Sequence, residues 1–448
     1  MYVPIIQTSA AAAVTPDEYH IMQPASFNTH FHTTDTTGVT RIMKRISLKI
    51  LLVAACTLLT SNLLSAQIAV KAEILYTMAG DPVENAVVLI RDGKIERVGA
   101  QSRITIPDGY TVYEAPVVTP GLIDARTVVG LAGYYNYDHD QDQLERSNPF
   151  QPELRAFDAY NAREALVKWQ REHGITTMHT GHGPGALASG QTMIVKTVGD
   201  TVEEALIDSV TMVAMTLGPS VGRFYDQVGS RSRAVAMLRS EFIKAKAYSD
   251  RMAGADAEKR PGRDLKMEIM ARVLNREVKA LITAQSVTEI MAALRLQREF
   301  GFDLVLDGAA EAYLVLDEIK KAGVPVFIHP TMVRTSGETK NASYETAAAL
   351  HEAGIPFAFQ SGYEGYVPKT RVVLFEAAMA VGNGLPFDEG LKALTISPAQ
   401  LLGIANRTGS IERGKDADLV LFEGDPFEYT TRVCKVIING EVASDVCR

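Results

Sequence analysis

The sequence predicts an α/β protein built on a TIM-like (β/α)8 barrel, and two observations predict it. From residue 119 to 405, short apolar runs alternate with helical stretches at the spacing of βα units that close into a parallel barrel. On either side of this region, residues 67–118 and 406–448 read as short strands separated by turns. The chain has 448 residues, 46% hydrophobic and 22% charged, which is ample length for a large core or for two.

Taken in order, the first 66 residues stand outside this fold. Met43-Lys44-Arg45 and Lys49 form a basic segment ahead of the apolar stretch Ile50 to Leu64, and Leu64-Ser65-Ala66 before Gln67 is a small-residue cleavage site. Residues 43–66 therefore read as a secretory signal peptide, and residues 1–42 as a non-native or disordered extension ahead of a true start at Met43. The expected location is periplasmic or secreted. Val53-Ala54-Ala55-Cys56 resembles a lipoprotein cleavage box, but the apolar run continues past Cys56 and favours cleavage at Ala66.

The strand Ala86-Val87-Val88-Leu89-Ile90 and the strand Ile95-Glu96-Arg97-Val98 flank an Asp92-Gly93 turn, a hairpin signal. Within the central region, Ile175–Met178, Leu304–Leu306, Pro325–Ile328 and Pro356–Phe359 read as strands. Residues 157–172, 287–300, 310–322 and 343–353 read as helices. In the tail, Ile437-Ile438-Asn439-Gly440-Glu441-Val442 is a second hairpin. Pairing around its turn sets Cys434 opposite Asp445, with Cys447 one diagonal step away, so a disulfide and two unpaired thiols both remain open. The formal net charge of −8, evenly mixed, lacks the basic footprint of nucleic-acid binding. No segment of the mature chain is long and apolar enough to span a bilayer.

Pro120-Gly121-Leu122-Ile123-Asp124-Ala125 resembles the first barrel strand of the metal-dependent amidohydrolases, and Gly409 through Leu421 resembles their closing signature. Arg171 to Thr177, Gly183 to Gln191 and Asp303 to Tyr313 are similar to the second strand, the glycine-rich loop and the sixth strand of the imidazolonepropionase-like branch. The resemblance covers nearly all of residues 69–445. It implies that residues 67–118 and 406–448 join into a composite β-sandwich beside the barrel at 119–405. It also implies, by lineage, a hydrolase acting on non-peptide carbon–nitrogen bonds, in which a bound metal deprotonates water and an aspartate shuttles the proton.

The positions that the resemblance assigns to metal chemistry do not carry it. The strand-one His-x-His is replaced by Arg126 and Val128, and neither side chain has a lone pair for a metal. Thr283 stands at the strand-five histidine, Asp307 and Gly308 at the strand-six histidine, and Gly362 at the strand-eight aspartate. His30-Phe31-His32 is the chain's one His-x-His, but it precedes the signal peptide.

The expectation is an exported pseudoenzyme, with no metal and no cofactor, that binds a small molecule or joins an active paralogue as a subunit. Asp124 and Asp307 are the candidate catalytic residues, and Arg126, His179, His182, His329 and Tyr363 the candidate ligand-binding residues. An Asp124–Arg126 pair would stand in for the metal's charge, since residues 124 and 126 share one side of a strand. The alternative is a working hydrolase with a relocated site, holding zinc through His179, His182, His329 and a carboxylate. A homo-oligomer or hetero-oligomer is expected, and nucleic acid is not.

Overall fold

The computed structural model describes residues 67–134, 137–254, 260–329, 335, 337–363 and 373–448. Residues 1–66, which carry the expected extension, the expected signal peptide and His30-Phe31-His32, lie outside the described residues. Four strands open the chain: β1 (Ile68–Leu75), β2 (Val83–Arg91), β3 (Lys94–Ala100) and β4 (Thr111–Pro120). Then come β5 (Leu122–Thr127), β6 (Ile175–Thr180), β7 (Ala188–Gln191), β8 (Met193–Lys196) and β9 (Leu206–Asp208). β10 (Met212–Thr216), β11 (Lys279–Ala284), β12 (Leu304–Gly308), β13 (Val326–Ile328) and β14 (Phe357–Phe359) complete the central region. The tail supplies β15 (Leu419–Phe422), β16 (Val433–Ile438) and β17 (Glu441–Ser444).

The first and last strands of the described residues share one seven-stranded sheet, ordered β17-β16-β15-β4-β1-β2-β3. The seam is antiparallel pairing of β15 with β4, Leu419 opposite Pro120 through Phe422 opposite Val117. The two hairpins form where their turns predicted them. Asp92 and Asn439 both adopt the left-handed backbone that such turns require, each followed by a glycine.

The central strands form two sheets, β14-β13-β12-β11-β10-β7 and β5-β6-β8-β9. β10 through β14 run parallel, as do β5 and β6. One expectation is corrected here. The glycine-rich stretch expected to be a loop ends in β7, and β7 and β8 run antiparallel to β10 and β6 respectively. Gly190 allows this course, because a Cβ there would stand 2.6 Å from the His182 ring and 2.7 Å from the Leu154 carbonyl. The expected helix over 157–172 is also shorter. A short 3-10 turn at Ala156–Asp158 precedes an α-helix confined to Ala165–Glu172. Val287–Phe300 forms as expected, with Ser286 and Glu289 as a capping box and Gly301 in the left-handed conformation at its end. Two helices that the apolar pattern did not single out, Arg231–Ala253 and Leu265–Leu274, follow β10.

Side chains from seven strands meet in one apolar cluster: Ile123, Ala125, Ile194, Met212, Leu281, Val305, Phe327 and Ala358, together with Ala399, Leu402 and Ile404. Because strand side chains alternate with period two, residue i+2 on each strand stacks on the same face toward the C-terminal end. That rule places Thr283, Asp307, His329 and Gln360 directly beyond Leu281, Val305, Phe327 and Ala358.

Cys434 and Cys447 form a disulfide, with Cα atoms 3.9 Å apart. Irregular register at Val436/Ile437 and paired backbone bonds between Val433 and Arg448 slide the tail until Cys447 faces Cys434 directly, not diagonally. The bridge spans 13 residues, and closing a loop of about that length is worth roughly 2–3 kcal/mol. Thermal unfolding of the oxidised protein should show a higher Tm than the Cys447→Ser variant. Dithiothreitol should bring the parent down to the variant and leave the variant unchanged. Equal melting in all four samples would show that the bridge adds nothing.

Candidate functional site

The predicted residues lie toward the C-terminal ends of the strands, but their polar atoms are satisfied mostly by backbone carbonyls and by side chains that the sequence did not suggest. Arg126 is 1% exposed. Its Nη1 donates to the carbonyls of Thr127 at 2.7 Å and Gly181 at 3.2 Å, and its Nη2 donates to that of His182. Burial lowers its pKa, and Asp307, Tyr363 and Asp124 oppose that shift through their charges. A guanidinium remains protonated even so.

The expected Asp124–Arg126 side-chain pair does not form. The ladder between β5 and β6 is irregular from Asp124 to Thr127, and the two side chains diverge. Arg126 reaches the carbonyls at the end of β6, whereas Asp124 takes Ser361 Oγ at 2.5 Å and the backbone N–H of Ser361 at 3.0 Å. Only the backbone N–H of Arg126 donates to Asp124, at 3.2 Å. Burial raises Asp124 to about 7 against the lowering effect of those hydrogen bonds.

Asp307 is likewise enclosed. Thr283 Oγ1 donates to it at 2.5 Å and Gln360 Nε2 at 2.6 Å. Its pKa is raised by burial, with the charge of Arg126 the largest influence in the other direction. Gln285 Nε2 donates to the Tyr363 hydroxyl at 3.1 Å, and burial together with Asp307 pushes that phenol well up. Ser361, Gln360, Thr283 and Gln285 escaped the sequence reading as working partners. The one signal for them is positional, since Thr283 and Gln360 each stand two residues past a buried apolar residue on the inward face.

The three histidines separate. His179 Nδ1 lies 2.7 Å from the Ala125 carbonyl and Nε2 2.6 Å from Thr192 Oγ1, so both ring nitrogens are engaged inside the protein. The carbonyl requires a proton on Nδ1, and Nε2 then accepts from the threonine. Burial and then the charge of Arg126 lower His179 to about 3 and His182 to about 4. His182 Nδ1 has no hydrogen-bond partner among the described residues.

His329 packs beside Tyr363, with ring centroids 5.2 Å apart, and against Gly362. A Cβ on Gly362 would come within 2.1 Å of the His329 ring, and the residue's φ is +83°. The imidazole thus occupies the space that any side chain at 362 would need.

Among the described residues, one group of three metal-capable side chains converges, Glu423 with Cys434 and Cys447, and both thiols are committed to the disulfide. His179, His182 and His329 do not form such a group with a carboxylate. After β5, Tyr134 packs against the main core, and Tyr135 and Asn136 lie outside the described residues.

Comparison with known proteins gives concordant relatives. The amidohydrolase family profile matches residues 304–443. The imidazolonepropionase of Thermoplasma volcanium is 22% identical over 391 residues, which is 82% of this chain and 92% of that protein. The imidazolonepropionase of Thermoplasma acidophilum is 25% identical over 368 residues, 77% of this chain and 84% of that protein. A crystal structure of an amidohydrolase from Thermotoga maritima matches with a TM-score of 0.79 at 29% identity, over 84% of this chain and 100% of that one.

Two expectations follow from this geometry. Unfolded histidine titrates near 6.5, so from pH 6.5 down to 5 the unfolded chain binds protons that buried His179 does not. Its contribution to stability is complete above 6.5 and is lost as the pH falls, by about 2 kcal/mol at pH 5. Asp124 acts with the opposite sign, because a carboxyl raised to about 7 favours the fold as the pH falls below that value. Urea unfolding at pH 7.5 and 5.0 should therefore cost the parent about 2 kcal/mol more on acidification than it costs His179→Gln. Equal losses would mean that His179 titrates normally in the fold.

Gly362→Ala should destabilise the protein by roughly 2 kcal/mol or more, combining left-handed strain with the His329 clash. In a His329→Ala background the penalty should fall to the backbone part alone. An undiminished penalty there would show that the imidazole is not the obstacle.

Proposed function

The chain belongs to the amidohydrolase superfamily, on its imidazolonepropionase-like branch, and from that premise we propose that it is a non-catalytic member that binds a small molecule or pairs with an active paralogue. One observation carries the proposal. Where the resemblance places the first metal-binding histidine, a buried guanidinium is held by three backbone carbonyls. These residues do not fit a metal. Arg126 brings a fixed positive charge, Val128 is apolar, Thr283 is committed to Asp307, and Gly362 has no room for a carboxylate. The engaged ring nitrogens of His179 argue against a relocated zinc site.

The finer architecture belongs to the same reading. The segment from Ala188 to Lys196 pairs with β10 through its first half and with β6 through its second, on either side of Thr192. At the other seam, Thr127 bridges Gly362 and Gly362 N–H donates to the Arg126 carbonyl at 3.2 Å. These contacts support a ring of eight strand positions, seven parallel and one antiparallel, beside a composite β-sandwich contributed by both termini. Export through residues 43–66 to the periplasm or the exterior completes the proposal.

The test is elemental analysis of the purified protein for zinc, iron and manganese, with thermal melting across a panel of small cyclic amides. Well under one metal per chain is expected, with no hydrolysis on adding zinc. A true ligand should raise Tm, because binding only the folded state stabilises it by about 2.7 kcal/mol at one hundred times Kd. Near-stoichiometric metal that disappears in a His179→Ala, His182→Ala variant would overturn the proposal.

A further inference from the structure

A cavity of about 280 Å³ opens between the helix Arg231–Ala253 and the helix Val287–Phe300, and it shares no residue with the candidate site. Its existence has a simple cause. Among its lining residues Ser232 and Ala234 on one helix and Thr288 and Ala292 on the other are small, which leaves room between the two helices. Ala234, Ala292 and Leu217 give it a buried apolar floor.

Three arginines line the opening: Arg231, Arg239 and Arg295. Against them stands one lining carboxylate, Glu289, which is 2% exposed. Arg231 Nε lies 3.0 Å from it, but the same carboxylate also accepts from the backbone N–H groups of Gln285 and Ser286. Arg239 holds Glu299 at 2.8 and 2.9 Å, on the exposed side. No hydrogen bond or ion pair engages Arg295 among the described residues. Glu338 also reaches the rim at Gly218, beside Glu289, so Arg231 and Arg239 each face a carboxylate and Arg295 is the guanidinium left to meet an incoming anion.

We propose that this cavity is a binding site for a small organic anion, with a carboxylate or phosphate head set among Arg231, Arg239 and Arg295 and a short apolar body on the Leu217, Ala234 and Ala292 floor. Guanidinium groups suit such heads because their N–H donors match two oxygens of a planar or tetrahedral anion at once. The apolar floor adds affinity for a body that inorganic phosphate lacks. The volume is near the lower end of small-molecule pockets, which limits the body to about one ring.

The test is isothermal titration of the full protein with benzoate and with phenyl phosphate, beside neutral benzamide and cationic benzamidine. Saturable binding is expected for one or both anions and not for the other two probes, weakening at least tenfold from 50 to 500 mM sodium chloride. Arg295→Gln should weaken it about tenfold or more while leaving the ligand-free Tm unchanged, because Arg295 makes no contact that the fold needs. Arg239→Gln should weaken it as well. The proposal is overturned if neither anion binds saturably, if benzamide binds as well as benzoate, or if Arg295→Gln binds unchanged.

Discussion

The arrangement at the strand ends depends on one constraint: the Arg126 guanidinium is buried and cannot give up its charge. Burying an ion costs several kcal/mol unless hydrogen bonds and nearby opposite charge replace the lost water. The carbonyls of Thr127, Gly181 and His182 supply the first, tying the end of β5 to the segment after β6. Asp307 and Asp124 supply the second, each held in place by hydroxyl and amide donors from neighbouring strands. The same charge helps keep His179 and His182 neutral. Any cation beside Arg126 would face that permanent positive charge.

A second buried ionic cluster ties the terminal sheet to the central strands. Lys196, at the end of β8, donates to Asp418 and lies 3.4 Å from Asp416. Asp416 also takes Lys94 from the first hairpin at 2.5 Å and Arg407 at 3.1 Å. Asp418 accepts from Thr408 Oγ1 at 2.9 Å and from the backbone N–H of Asn439 at 3.0 Å, and its own carbonyl accepts from Gly121 N–H at 2.8 Å. The Gly409–Leu421 string thus has a physical meaning beyond its match to a signature. Its aspartates connect both hairpins, the start of β5 and the end of β8.

How much could be read from the sequence differs by level. The hairpins, the helix Val287–Phe300 and the apolar strands were legible because turn residues, helical periodicity and apolar runs are local. The antiparallel course of β7 and β8 was not, since Ala188-Ser189-Gly190-Gln191 carries no strand propensity. Its pairing depends on Gly190 passing close to His182 and Leu154. The position of these residues at the strand ends was legible from the strand pattern, but their bonding was not. The alternation rule put Asp124 and Arg126 on one side, and a ladder irregularity sent them to different partners. The Cys434–Cys447 bridge turned on a similar slip in register, which the Asn439-Gly440 turn alone does not encode.

Some buried polar atoms at the strand ends keep unused hydrogen-bonding capacity. Arg126 Nε, His182 Nδ1 and Gln360 Oε1 are buried with no hydrogen-bond partner among the described residues. The arginine nitrogen can only donate, the amide oxygen can only accept, and the imidazole nitrogen does either according to its tautomer. An unmet buried donor or acceptor costs about 1–3 kcal/mol, and a small neutral molecule or water offering both kinds of bond recovers part of that cost. A cation recovers none of it at Arg126. At Arg126 the unmet atom is a donor, so it suits a hydrogen-bond acceptor, the same preference that the guanidinium imposes through its charge.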